Sequence, residues 1–333
     1  MTDGLLILRC VIRRVLVAAA TIWLAANGAV GGSAAQTLVP AVDHHQHIFS
    51  ADAAALAKGF RPIDGADLIA LLDAAGIRRA VVLSTAYQWS NPNRPPVDNE
   101  YALVKAENDW TSGQVARFRE RLRGFCGLNP LRDYALDEIA RCSADRSLRF
   151  GMKLHFGNSD VDLDNPAHIV QLQRVFRAAN GNGMAIVVHM RSSITRNRSY
   201  GAAEARAFIE RVLPSAPDIP VQIAHLTGGG TFDDLKVDEA LGEFIKAFRA
   251  KDPRVAHVWM DVSGIAGYGD WREKAPVIAQ RIREVGLARV LYGSDSANGG
   301  GLSPQAAWAA FRELPLSEEQ FRTIATNVAP YMR

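Results

Sequence analysis

Cysteine is scarce in this 333-residue chain, which holds three. None has the CxxC or Cys/His spacing of a zinc knuckle. Strong charge of either sign is missing too: the formal net charge is +3. Arg9, Arg13 and Arg14 against Asp3 place most of that excess before residue 36, and the rest is close to neutral. With no basic stripe and no acidic tail, nucleic acid is excluded as an expected partner. No apolar run reaches the roughly twenty residues that a membrane span needs. Low-complexity tracts, linker-like stretches and fixed-period repeats are also absent, which argues for a single domain. Gly228-Gly229-Gly230 could present amides to an anion, but it lacks the lysine and spacing of a P-loop. What the chain does have is apolar residues, at 48%. Its length allows one barrel or two smaller domains.

Residues 1–35 read as an export signal. Arg9, Arg13 and Arg14 make a positive n-region, and residues 15–26 make an apolar stretch of about a dozen residues. Ser33-Ala34-Ala35 then offers a cleavage site before Gln36. An uncleaved anchor and a start codon set too early are the alternatives. Arg13-Arg14 matches the centre of a twin-arginine signal without its usual neighbours, so the export route stays open. The expected location is periplasmic or secreted, free of the membrane once the signal is cleaved. Cys10 leaves with the signal. Cys126 and Cys142 then either pair in an oxidising compartment or remain inert interior thiols.

Eight strand-like runs alternate with helix-like segments after residue 39. The first, residues 39–49, ends in His45 and His47. Alternate side chains of a strand share a face, so the two imidazoles point the same way, with Asp43 below them. Two neutral imidazoles aimed at one point suit a divalent transition metal. Three later apolar runs end in His189, His225 and Asp295. Each reads as a buried parallel strand with a metal-capable side chain at its carboxyl end, where parallel α/β folds gather their ligands. Helix signals fall between the strands at 64–75, 99–121, 136–144, 166–179, 202–213, 237–250 and 275–285. The pattern predicts a single-domain (β/α)8 TIM barrel over residues 36–333, with a doubly wound open sheet as the alternative. Long segments after the strands, 88–97, 157–165, 191–201, 228–236 and 265–274, carry Trp89, Arg191, Arg196, Arg198, Tyr200, Tyr268 and Trp271. These are candidate contacts for an apolar or anionic organic substrate.

As an ordered set these residues resemble the amidohydrolase superfamily, specifically its amidohydrolase-related branch of metal-dependent hydrolases and non-oxidative decarboxylases. The resemblance runs from about residue 41 to the C-terminus. Asp43-x-His45-x-His47, His189, His225 and Gly293-Ser294-Asp295 carry it, with weaker echoes in Glu107-Asn108-Asp109-Trp110 and Gly127-Leu128-Asn129-Pro130. It implies that His45, His47, His189 and Asp295 hold one divalent metal and that His225 is the catalytic imidazole. Zinc is the expected ion, with manganese or a second ion as alternatives. Three nitrogens and a carboxylate can hold zinc and leave room for a water whose pKa falls to about 7. Asp295 can also take a proton from that water, and His225 can act as acid–base.

Lys153 shares a strand face with Gly151 and His155. Binuclear relatives carry a carboxylated lysine bridge on that strand, which would move His189 and His225 onto a second metal. Otherwise Lys153 pairs with a carboxylate or touches substrate, and His155 is a candidate substrate contact. His44 and Gln46 are read as structural. Three functional classes follow. The first is an exported hydrolase of a C–N amide or a C–O ester or lactone bond. The second is a non-oxidative decarboxylase of an aromatic carboxylic acid, with Arg191, Arg196 or Arg198 clamping the substrate carboxylate. The third is a non-catalytic metal- or ligand-binding periplasmic protein. The expected partner is a small organic substrate, and a homodimer is left open.

Overall fold

In the computed structural model of the protein, eight parallel strands pair in sequence order around a barrel. The structure describes residues 38–333 apart from 57–59, 231, 233 and 297–300, so the expected export signal at 1–35 lies outside the described residues. The strands are β1 (Val42–Gln46), β2 (Arg79–Leu83), β3 (Leu122–Gly127) and β4 (Gly151–His155). They continue as β5 (Ala185–His189), β6 (Val221–Ile223), β7 (Val258–Asp261) and β8 (Val290–Leu291). Beyond β8 the chain runs on beside β1. The His44 N–H donates to the Tyr292 carbonyl at 2.9 Å, and the Asp295 N–H donates to the His45 carbonyl at 2.8 Å. These bonds close the ring, and the doubly wound alternative falls away.

The helices are α1 (Ala51–Ala55), α2 (Gly65–Ala75), α3 (Glu100–Arg117), α4 (Ala135–Ala144) and α5 (Phe156–Ser159). After them come α6 (Pro166–Gly181), α7 (Ala202–Ala207), α8 (Leu235–Arg249), α9 (Trp271–Val285), α10 (Pro304–Phe311) and α11 (Glu318–Thr326). Local chemistry sets several of their ends. Asp64 and Asp67 form a reciprocal capping box at the start of α2, and Gly76 ends it at φ 71°. Asn165 caps α6, with Pro166 at its first position. Two expectations need correction. The third helix stops at Arg117 rather than 121, because residues 118–121 turn the chain into β3. The helix before β8 starts at Trp271 rather than 275, because the buried Trp271 ring anchors an additional first turn. Among the described residues no helix is long and apolar enough to cross a membrane.

The lower interior is dry. Val42, Val81, Leu83, Phe125, Ala185, Val187 and Met332 pack there as one buried cluster. A larger apolar cluster fills the space between strands and helices. Above the floor, at the carboxyl ends of the strands, the interior turns polar.

Candidate metal and proton-transfer site

Strand β1 does not alternate strictly. Its register with β2 shifts between Asp43 and Gln46, the signature of a bulge that re-aims side chains beside a site. Asp43 therefore does not lie below the two imidazoles. Its carboxylate accepts from Gln46 Nε2 at 2.7 Å, Ser294 Oγ at 2.5 Å and the Ser294 N–H at 2.9 Å. Burial pushes the Asp43 carboxyl up to about 6 against the pull of those donors. This knot ties β1 to the end of β8. Close approach there requires glycine, since a Cβ on Gly293 would lie 2.7 Å from His45 Cβ.

His45 and His47 both line one cavity of about 170 Å³, with ring centroids 5.3 Å apart. Each is oriented from behind. His45 Nδ1 donates to Asp261 Oδ2 at 3.0 Å, and His47 Nδ1 donates to the Leu83 carbonyl at 2.7 Å. Both protons sit on Nδ1, so each Nε2 carries a lone pair that can bind an ion. Burial, reinforced by the Lys153 charge, lowers His45 to about 4 and His47 to about 3. The rings are neutral near pH 7. Asp295 Oδ1 lies 3.5 Å from His47 Nε2 and 3.9 Å from His45 Nε2.

Asp295 and His225 are held in backbone conformations that side chains avoid. Asp295 sits at φ 53° just past β8. His225, Leu226 and Thr227 form three successive left-handed residues, at φ 55°, 48° and 74°. Each such residue costs roughly 1–2 kcal/mol, and strain of this kind collects at functional sites. The turn is over-determined. Asp261 Oδ1 accepts the His225 N–H at 3.0 Å, Thr227 Oγ1 donates to the Val237 carbonyl at 3.0 Å, and the Tyr200 hydroxyl donates to the Thr227 carbonyl. The His225 side chain enters the same cavity as the β1 imidazoles, 4.8 Å from the His45 ring. Its Nδ1 donates to the Ser263 carbonyl at 2.8 Å, which leaves Nε2 to exchange protons.

Lys153, His155 and His189 form the opposite wall. Lys153 is buried, with Nζ 3.1 Å from His45 Nε2. Burial lowers it to about 8, opposed by the charges of Asp295 and Asp261. His155 and His189 stack with centroids 3.7 Å apart and planes 14° apart. Burial pushes both well below the ordinary imidazole range. His189 lines the cavity, 5.1 Å from the His225 ring, but lies outside the tight group of His45, His47 and Asp295.

The other expected contacts are placed less centrally. Arg191 pairs with Asp234 at 2.7 Å and stacks over Tyr200, while Arg198 pairs with Asp160 at 2.8 Å. Arg196 reaches Asp160 at 3.4 Å and the Pro92 carbonyl at 2.6 Å, bridging two loops of the rim. None of the three arginines lines the cavity. Trp89 sits in the turn after β2, its buried Nε1 without an acceptor among the described residues. His44 is structural, donating through Nδ1 to the Tyr292 carbonyl at 2.9 Å and accepting the Ala329 N–H at Nε2. Cys126 and Cys142 are joined as a disulfide between β3 and α4.

One site residue escaped the sequence reading. Asp261, fully buried at the end of β7, also accepts from Gln222 Nε2 at 2.6 Å and Ser263 Oγ at 2.6 Å. Burial alone would raise its carboxyl, but the His45 imidazole and these donors hold it below the usual carboxylate range. The signal was present, since Val258-Trp259-Met260-Asp261 ends in a carboxylate just as the Asp295 strand does.

The donor set fits a divalent metal. His45 Nε2, His47 Nε2 and Asp295 offer two nitrogens and an oxygen within 4.8 Å of one another, a mix that suits zinc or manganese.

The amidohydrolase family model Amidohydro_2 matches residues 42–327. Similar solved structures include a 5-carboxyvanillate decarboxylase from Novosphingobium aromaticivorans with bound manganese. It is 15% identical at a TM-score of 0.57, over 88% of this chain and 96% of that one. A 2,6-dihydroxybenzoate decarboxylase from Rhizobium is 14% identical at a TM-score of 0.58, over 86% and 96%. A probable 2-pyrone-4,6-dicarboxylic acid hydrolase from Acinetobacter baumannii is 17% identical at 0.57, over 86% and 96%. None of the curated proteins matches the sequence.

Proposed function

Since this chain belongs to the amidohydrolase family, we propose that it is a metal-dependent, non-oxidative decarboxylase of an aromatic carboxylic acid. One observation carries the reading. A single cavity holds the His45–His47–Asp295 donor group, the His225 imidazole with a free Nε2 and the buried Lys153 amine. Phe49, Phe60 and Tyr87 complete its wall, a surface suited to a planar ring.

His45, His47 and Asp295 would hold the ion, with His189 within reach of the same cavity. When bound, the metal supplies Lewis acidity that orients and polarises an oxygen of the substrate. The chain does the rest. Lys153 attracts the anionic acid, a role the expected arginine clamp cannot fill while each arginine holds a carboxylate of its own. His225, charged from water, gives the proton on Nε2 to the ring carbon that bears the carboxylate. The carbon–carboxylate bond then breaks, its electron pair restores the ring, and carbon dioxide leaves. Two decarboxylases among the similar structures support this reading, and the manganese in one keeps that ion beside zinc.

Ester or lactone hydrolysis is the second reading. His225 could equally pass its proton to a leaving oxygen, and one similar structure is a probable hydrolase. The holoenzyme, loaded in turn with manganese and zinc, separates the two on hydroxybenzoates and aryl esters. Chelator-sensitive release of carbon dioxide is expected. Ester turnover with no carbon dioxide from any acid would replace the decarboxylase by the hydrolase. We also propose export to an oxidising compartment, which the Cys126–Cys142 disulfide supports. A periplasmic chain beginning at Gln36 is the expected product, and a cytoplasmic chain retaining residues 1–35 would refute it.

A further inference from the structure

A neutral imidazole carries one N–H, and its neighbours decide which nitrogen holds it. Three histidines of the cavity turn Nδ1 toward an oxygen that needs a proton. His45 faces the Asp261 carboxylate, His47 the Leu83 carbonyl and His225 the Ser263 carbonyl. In each of them Nε2 is left bare. His155 is wired the other way: its Nδ1 accepts the Asn158 backbone N–H at 3.1 Å, capping α5. A backbone amide can only donate, so Nδ1 must be bare and the proton must sit on Nε2.

We infer that His155 is a fixed hydrogen-bond donor that takes an acceptor oxygen of the substrate and is not a metal ligand. An imidazole bearing its proton on Nε2 has no lone pair there for an ion, whereas it can hold a carboxylate or phenolate oxygen. The ring cannot easily turn to exchange its edges. It is stacked 3.7 Å from the His189 ring and lies 5.2 Å from the Tyr87 ring. The ring lines the cavity while Nδ1 is turned into the wall. Nε2–H has no acceptor among the described residues, so it is open to one from a ligand in the cavity. Lys153, two residues back on the same strand face, adds an amine beside this donor. The pair describes a receptor for an oxyanion on a planar acid. This deepens the decarboxylase reading and rests on it for the substrate class.

Long-range proton–nitrogen NMR on histidine-labelled protein, with His155→Asn to assign the signal, reads the tautomer directly. His155 should show the Nε2–H pattern, and His45, His47 and His225 the Nδ1–H pattern. In the holoenzyme, His155→Ala should keep its metal content by elemental analysis. It should bind 2,6-dihydroxybenzoate about tenfold more weakly, with His155→Gln recovering part of the loss through its amide N–H. An Nδ1–H pattern at His155, the loss of a metal equivalent in His155→Ala, or unchanged benzoate affinity would each overturn the inference. If the wild-type protein binds no benzoate, the decarboxylase reading fails, while tautomer and metal content still decide whether His155 is donor or ligand.

Discussion

The two walls of the cavity are built on different terms. The wall from β1, β6, β7 and β8 is braced from behind: Asp261 alone takes donors from His45, Gln222, Ser263 and the His225 backbone. Behind it, Asp43 ties Gln46 to Ser294. The wall from β2, β4 and β5 is held mainly by rings, His155 stacked on His189 and beside Tyr87. Metal ligands and proton carriers have to stay in place within a fraction of an ångström, so bracing suits them. A surface that receives an exchangeable molecule keeps its donors for that molecule.

The sharpest way to break this comparison is His225→Asn on the braced wall. Turnover should fall roughly 10²–10⁴-fold, with metal content unchanged by elemental analysis. Loss of the metal together with activity would make His225 a ligand and erase the division of labour proposed for that wall.

Acid should attack the braced side next. Burial lowers His44 to about 4 from its ordinary 6.5. A depressed imidazole means that the unfolded chain takes up the proton first. Stability is therefore full above about pH 6.5 and is lost as the pH falls through about 4. The loss from this one residue is about 3 kcal/mol, at about 1.4 kcal/mol per unit. Denaturant titrations between pH 7 and 4 should show that slope, and His44→Asn should flatten part of it. A slope unaltered by the substitution would remove His44 as its source.

A milder probe is Asp261→Asn, which keeps the shape of the residue and removes the charge behind His45. Metal affinity measured against a competing chelator should weaken about 10- to 100-fold. An unchanged affinity would show that the brace orients nothing that matters to the ion.

Much of this was readable beforehand for particular reasons. Apolar runs ending in His45, His47, His189, His225 and Asp295 mark parallel strands, because a strand buried on both faces must be apolar until it emerges at the site. Asp261 ends its strand in the same way. The arginines misled in the opposite direction. Their sequence showed positive charge after strands, but not the carboxylates Asp160 and Asp234 that claim it. The bulge in β1 left no mark in the residue types, and strict alternation put Asp43 in the wrong place.

Composition and order alone determined the barrel, the strand ends that carry chemistry and the family resemblance, because periodicity and burial are written into neighbouring residues. Only the closed ring of strands decided which nitrogen of each histidine bears the proton and which charges are already spent. It also placed Lys153 beside His45 and bent three residues at His225 into left-handed turns. Those outcomes depend on partners as far as 285 positions apart, as between His44 and Ala329. Contacts of that span have no trace in local pattern.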